Sequence, residues 1–418
     1  MSAKFDALET RDPAAREAAL MAALPTQVAY ARAHAPTLAR LLADVDPTQI
    51  RDRAALARLP VLRKHELLQL QQTNRDAGGD PFGGFAAHTF GNHMPRVFAS
   101  PGPIYEPEGT DRDYWRMGRA MFAAGFRAGE LIHNCFSYHF VPAGSMMESG
   151  AHALGCTVFA GGTGQTEQQV QAMAQLRPAG YVGTPSFLRI ILEKAQELNV
   201  SLPNLRKAMF GGEAFPPSLR DWFAQRGVQG YQCYATADVG LIAYETEARE
   251  GLVLDENVIV EIVRPGTGDI LPPGEVGEVV VTVFSPIYPL IRFGTGDLSA
   301  VLAGPCPTGR TNVRIKGWMG RADQTTKIRG MFVHPEQVAD IVKRFPEVLR
   351  ARLVVSGEMA ADVMKLCVEA RAGGPDALAQ RIGEAIRDVT KLRGDVEIVA
   401  PGTLPNDGKV IEDARSYK

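Results

Sequence analysis

Met319-Gly-Arg-Ala-Asp-Gln-Thr-Thr-Lys-Ile-Arg-Gly-Met-Phe-Val333 divides this 418-residue chain into two unlike parts. On its C-terminal side the pattern reads strand (326–333), helix (335–344), strand (348–356), strand (362–370), helix (375–391) and strand (395–399), an α+β unit of roughly ferredoxin-like order. On its N-terminal side, from about 96 to 240, short apolar runs alternate with helical patterns. Arg96-Val-Phe-Ala99 precedes a helix at 111–126, Leu131-Ile-His-Asn-Cys-Phe136 one at 144–154, and Cys156-Thr-Val-Phe-Ala160 one at 166–176. Gly180-Tyr-Val-Gly183 precedes a helix at 186–197 and Lys207-Ala-Met-Phe-Gly211 one at 216–226. Such alternation requires right-handed crossovers and predicts a mostly parallel sheet, with the ligand site at the carboxyl ends of its strands. Residues 255–318 change to a β pattern, and 13–45 read as helices interrupted at Pro25 and Pro36. The expected fold is α/β: a large N-terminal domain at 1–320 with mostly parallel sheets and a β-rich subdomain, then a small α+β domain at 321–418.

Composition narrows the function. A net charge of −2 gives no electrostatic case for nucleic acid or a membrane surface. Cys135, Cys156, Cys233, Cys306 and Cys367 are odd in number, scattered and without a C-x-x-C pair, which fits a reducing compartment, and the cytoplasm is the expected location. The first ten residues carry acids where a signal peptide needs an apolar run.

The Gly-Arg-x-Asp of 320–323, the Lys-Ile-Arg-Gly of 327–330 and the later Leu404-Pro-Asn-Asp-Gly-Lys409 together resemble the adenylate-forming enzymes, in particular their phenylacetate–CoA ligase branch. The resemblance covers about residues 50–418. It implies activation of a carboxylic acid, with an aromatic one favoured, by ATP and Mg²⁺ to an acyl-adenylate, then transfer to coenzyme A. It further implies a mobile C-terminal lid turning about Asp323, with Arg321 and Lys327 as nucleotide contacts and Lys409 entering the site as the catalytic cation. A homodimer is compatible with it.

Other motifs take their roles from the same resemblance. Leu290-Ile-Arg-Phe-Gly-Thr-Gly-Asp-Leu298 places Asp297 at the acid that holds both ribose hydroxyls, a charge-assisted contact. Gly211-Gly-Glu-Ala-Phe-Pro216 is similar to the segment lining the adenine and acyl pockets, with Gly212 and Glu213 towards the nucleotide and Gly211 towards the acid. Cys233-Tyr-Ala-Thr-Ala-Asp238 places Tyr234 against adenine, Ala235 at the acyl pocket and Asp238 as the Mg²⁺ ligand and a catalytic residue; Ala237 stands where the phosphate-binding hydroxyl is expected, with Thr236 beside it. Tyr138, His139 and Phe140 stand where relatives line the acyl site, and would suit a flat apolar acid. A plainer reading accompanies each motif: a capped strand-to-helix turn, a buried strand end, or core aromatics.

Two departures stand out. The phosphate loop, Ser-Ser-Gly-Thr-Thr-Gly-Lys-Pro in the family, is Ser100-Pro-Gly-Pro-Ile-Tyr-Glu-Pro107 here. Ser100 and Gly102 remain as nucleotide contacts, but the lysine has become Glu106. Unit charges 4 Å apart interact by roughly 4 kcal/mol at an effective dielectric of 20, and millimolar to micromolar binding amounts to about 4–8 kcal/mol in all. A glutamate facing the triphosphate would therefore weaken it severely unless Mg²⁺, Arg112 or Arg116 neutralised it. Of the zinc ligands held by some relatives only Cys306 is present, with Thr246, Val253 and Thr308 at the other places, so no zinc site is expected. Besides the ligase, the sequence leaves open a non-catalytic descendant that binds a nucleotide or acyl group as a sensor, and an adenylating enzyme that delivers to an amine or a carrier protein.

Overall fold

A computed structural model describes residues 4–264, 267–322, 326–333, 335–358, 362–370, 375–405 and 410–415. The chain forms two compact units, Met1–Gly320 and Arg321–Lys418.

In the first unit a nine-stranded sheet is parallel in one half and antiparallel in the other. From the parallel edge run Thr157–Ala160, Leu131–Asn134, Gly180–Gly183, Lys207–Phe210 and Gln229–Thr236. Gly240–Glu245, Leu252–Leu254, Arg314–Ile315 and Val301–Leu302 then continue it antiparallel. The helices Ala143–Leu154, Thr166–Leu176, Pro185–Glu197 and Pro217–Ala224 link the parallel strands. From Leu131–Asn134 the chain crosses to the sheet edge, and after Thr157–Ala160 it returns to the other side. Connections therefore diverge between Leu131–Asn134 and Gly180–Gly183, which opens a crevice at the strands' carboxyl ends.

A second sheet pairs Val258–Val263 with Gly277–Val283 and Phe293–Ser299, and Leu62–Arg63 lies parallel at its edge. Its apolar residues share a core with Leu24, Val28, Ala31 and Leu38 of the N-terminal helices. Pro13–His34 is one helix, started by Asp12 accepting from Ala15 N. Pro25 lies inside it without ending it, because burial of Leu24, Val28 and Ala31 outweighs one missing backbone hydrogen bond.

Two expected elements differ. Arg96–Ser100 does not join the parallel sheet; it pairs with Ile104–Glu108 in a separate hairpin. The helix expected over 111–126 spans only Met117–Ala123, since Asp113 turns back to accept from Met117 N and Gly118 N at 2.9 and 2.8 Å.

In the second unit the expected strand 326–333 is a hairpin of Thr326–Ile328 and Met331–Val333. Its two-residue turn, Arg329-Gly330, has φ of +48° and +86°, the combination of a type I′ turn. The main sheet runs Asp395–Val399, Val363–Ala370, Val348–Ser356, Ile411–Asp413. Its order departs from the ferredoxin-like one because the 326–333 segment stays out and Ile411–Asp413 adds parallel beside Val348–Ser356. Val338 and Ile341 of helix Pro335–Lys343, with Ile382 and Ile386 of helix Pro375–Thr390, fill the core beneath it.

Among the described residues no helix is long and apolar enough to cross a membrane. All five cysteines are free.

Candidate functional site

The Leu290–Leu298 motif separates into a structural half and a chemical half. Arg292 is fully buried; its Nε lies 2.9 Å from Glu261, and its other nitrogens donate to the carbonyls of Ala57, Leu59 and Gly268. It is a pin between the sheet and the helical preamble. Asp297, five residues on, accepts from Tyr234 Oη at 2.8 Å on one oxygen and from Trp318 Nε1 at 3.1 Å on the other. Thr295 Oγ1 accepts from Asp297 N at 3.1 Å and is itself anchored on Val279 O. Tyr234, expected against adenine, thus reaches Asp297, the expected ribose acid, through its hydroxyl. Trp318 was not singled out from the sequence; its place between Gly317 and Gly320, just before the 320–330 motif, was the available signal.

Asp238 follows the sheet strand Gln229–Thr236 and is buried. Lys64, first residue of helix Lys64–Asp76, reaches it with Nζ 2.7 Å from Oδ2. Oδ1 is buried without a hydrogen-bond partner. An orphaned carboxylate oxygen suits a cation ligand, so Asp238 fits the expected Mg²⁺ role. Thr236 Oγ1 accepts from Val239 N at 3.3 Å.

The phosphate hairpin corrects the reading of Glu106. Register pairs Phe98 with Glu106 and Ser100 with Ile104, so Ile104, Glu106 and Glu108 all face inward. Glu106 has no exposed surface; Ser100 N donates to its Oε2 at 3.1 Å and Ser100 Oγ hydrogen-bonds its Oε1. Both polar groups of Ser100, expected as a nucleotide contact, engage Glu106 here. Burial, and after it the negative charge of Asp238, push the Glu106 carboxyl up to about 8 against the pull of Lys64 and the Ser100 hydrogen bonds. This shift favours the uncharged form and works against the charge reversal read from the sequence. Neither arginine offered as a neutraliser serves: Arg116 pairs with Asp255 at 3.0 Å, and Arg112 donates to His152 O. Lys64 is the cation that sequence reasoning missed.

Gln71 fixes this hairpin to the Lys64 helix. Its side-chain amide donates to Tyr105 O and accepts from Tyr105 N, each at 2.9 Å, as a strand neighbour would. Gly102, in the turn, precedes Pro103 through a cis peptide bond.

At the crevice, Gly211 and Gly212 follow strand Lys207–Phe210, Gly212 with φ +75°. A Cβ on Gly211 would sit 3.2 Å from Cys233 Sγ and 3.7 Å from Phe136 Cζ. Glu213 accepts a long 3.4 Å contact from Ser186 N. Ala235 stands at the irregularity where Gln229–Thr236 leaves regular pairing with Gly240–Glu245. Tyr138 donates to Glu148 at 2.9 Å and accepts from Asn134 Nδ2 at 2.8 Å, which fixes its ring near the crevice mouth. His139 and Phe140 are exposed. Phe140 is 80% exposed, at φ +61°, and its carbonyl accepts from Ala99 N of the phosphate hairpin. Phe136 is buried near Gly211.

In the second unit, Arg321 and Lys327 both lie over the ring of Phe332, at 5.6 and 5.9 Å from its centroid. Asp323 and Lys409 lie outside the described residues. Cys306 Sγ is 3.1 Å from Thr308 Oγ1, and nearby Arg310 pairs at 2.8 Å with buried Glu9.

Asp297, held by Tyr234 and Trp318, and Asp238, paired with Lys64, are the two buried acids of the candidate site. Residues 113–283 match the AMP-binding enzyme model and 330–414 that of the AMP-binding enzyme C-terminal domain. The phenylacetate-coenzyme A ligase of Thermus thermophilus is 31% identical over 415 residues, covering 90% of this chain and 91% of its own. The chain belongs to the AMP-binding enzyme family. Within it the chain falls among the adenylate-forming acyl-CoA ligases. The phenylacetate-coenzyme A ligase of Aromatoleum evansii is 29% identical, covering 85% of this chain and 83% of its own. Among solved structures, a 2-hydroxyisobutyryl-CoA ligase in complex with 2-HIB-AMP and CoA in the thioesterification state has a TM-score of 0.83 and 26% identity, covering 98% of this chain and 92% of that one. An open conformation of the same ligase has a TM-score of 0.72 and 25% identity, covering 99% and 95%.

Proposed function

We propose that this AMP-binding family member is an active AMP-forming acid–thiol ligase for a small, flat, apolar carboxylic acid. The single observation that carries this reading is the Lys64–Asp238 pair beside the buried, inward-facing Glu106. It supplies an ammonium, where the altered loop, read as sequence, had seemed to remove one, beside the carboxylate that would hold Mg²⁺.

A carboxylate oxygen of the acid attacks the α-phosphorus of ATP, pyrophosphate leaves, and the thiol of CoA then displaces AMP from the acyl carbon. Asp297 holds the ribose. Asp238 would hold Mg²⁺, which when bound neutralises phosphate charge. Lys64 balances Asp238 and faces the leaving phosphates, while Lys409 stabilises the charge developing between acid and α-phosphorus. Arg321 and Lys327, both over the ring of Phe332, would be nucleotide contacts contributed by the domain at 321–418. Phe136, Tyr138 and the backbone of Gly211 favour an aromatic acid, and the cytoplasm supplies its co-substrates.

Calorimetric titration with Mg·ATP beside AMP tests the reading without a guess at the acid. Both are expected to bind, and Lys64→Ala is expected to weaken Mg·ATP at least ten-fold more than AMP. Binding of AMP alone to the unaltered protein would overturn the ligase in favour of a nucleotide sensor.

A further inference from the structure

Lys409 belongs to the connection between two strands on opposite edges of one sheet. Val363–Ala370 and Val348–Ser356 separate Asp395–Val399 from Ile411–Asp413, so residues 400–410 have to pass from one edge to the other. Alternation along the two central strands puts Leu353, Val355, Leu366 and Val368 into the apolar core. The opposite face carries Arg350, Arg352 and Glu369, with Arg350 and Glu369 directly across from each other.

These three side chains hold the chain on either flank of Lys409. Before it, Leu404 N donates to Glu369 Oε1 at 2.7 Å, and Arg350 donates to Leu404 O at 3.2 Å and to Pro405 O at 2.9 Å. The N–H of Leu404, and after it that of Gly402, holds the Glu369 carboxyl below the usual carboxylate range. After Lys409, Leu353 N donates to Val410 O at 2.9 Å, and Ile411–Asp413 pairs parallel with Val348–Ser356. Buried Arg352 reaches both flanks at once: one terminal nitrogen donates to Pro405 O at 3.2 Å, and the other lies 3.0 Å from Glu412 Oε2. A guanidinium suits this task, since its planar fork presents several donors in fixed directions.

We propose that Arg352, with Arg350 and Glu369, is a positioning residue of the adenylation step: it ties Pro405 to Glu412 across Lys409 and so sets the place from which the lysine ammonium acts. This rests on the role given to Lys409 under the proposed function. A long side chain on an untethered connection would lose backbone and rotamer freedom at each turnover, and one carried between two held flanks has less to lose.

The test splits the reaction of the full chain into its two steps. Adenylation is read as acid-dependent pyrophosphate exchange, with phenylacetate, benzoate and 2-hydroxyisobutyrate as probe acids. The second step is read as AMP release when CoA is added with the preformed acyl-adenylate. Arg352→Met should lower kcat for exchange at least ten-fold, because displacing a catalytic group by about 1 Å can cost 10²-fold. KM for ATP and the rate of the second step should stay within about two-fold. Arg350→Gln, at an exposed position, should show the same pattern with a smaller loss. Glu369→Gln, which keeps an acceptor for Leu404 N, should retain most of the exchange that Glu369→Ala loses. Unchanged exchange in Arg352→Met and Glu369→Ala overturns the inference, as does equal loss of both steps in Arg352→Met and Arg350→Gln, the mark of a disordered domain; exchange by the unaltered protein keeps the ligase standing in either case. Exchange with none of the three acids in the unaltered protein removes the ligase and this inference with it.

Discussion

Replacing Glu106 with glutamine should make the larger unit more stable at alkaline pH and leave it little changed in acid. Glu106 is wholly buried, and burial together with the charge of Asp238 holds its carboxyl at about 8. A group whose pKa is raised on folding stabilises most fully below its unfolded value, in the usual carboxylate range near 4.3. Between there and about 8 the folded chain holds a proton that the unfolded chain has released. Stability then falls by about 1.4 kcal/mol per pH unit, amounting to roughly 3–5 kcal/mol across the window. Above it the folded side chain is ionised as well and the loss levels off. Glutamine has nearly the same shape, can accept from Ser100 N and has no proton to lose. The difference between the two proteins should therefore be small at pH 5 and reach several kcal/mol in favour of Glu106→Gln at pH 8.5. Urea unfolding followed by tryptophan fluorescence isolates this unit, because Trp115, Trp222 and Trp318 all precede Gly320. Parallel pH dependences for the two proteins would refute the argument and mean that Glu106 is ionised throughout.

The same burial reverses the expectation for Glu106→Lys: the new cation would sit in the hairpin interior near Lys64, so unfolding should show a loss of several kcal/mol and not a gain in ATP affinity. Lys409→Ala should abolish acid-dependent pyrophosphate exchange while AMP binding stays within about two-fold; unaltered exchange would remove Lys409 from the chemistry. Glu9→Ala should cost about 3–5 kcal/mol in the urea unfolding of the larger unit, because it leaves buried Arg310 and the Tyr244 hydroxyl without the carboxylate they share. A loss below 1 kcal/mol would show that water replaces that carboxylate freely.

Parts of the site were readable in one dimension because their chemistry is local. The helix Thr166–Leu176 matches its apolar spacing, and Gly211-Gly212 sits on a strand-to-helix turn that needs a positive φ at the second glycine. Asp297 was singled out through its neighbours, and the neighbouring Arg292 proved to be a pin under the sheet. Tyr138, His139 and Phe140 were read as one unit, yet consecutive residues in a loop need not share a face. Tyr138 turns to Asn134 and Glu148, whereas Phe140 turns outward.

Strand alternation, apolar periodicity and the ordered motifs suffice to determine this family and fold from sequence, because each depends on residues close together along the chain. Sequence alone did not decide the sense of Glu106. Strand side chains alternate faces, so a one-residue slip of register would turn Glu106 from the interior to the surface and reverse its electrostatic meaning. Pairing of Phe98 with Glu106 settles that parity, and the approach of Lys64 to Asp238, 174 residues away, supplies the compensating charge. The hold of Tyr234 and Trp318 on Asp297 likewise exists only in the folded chain. These contacts join residues distant in sequence, and only the packed chain brings them within reach.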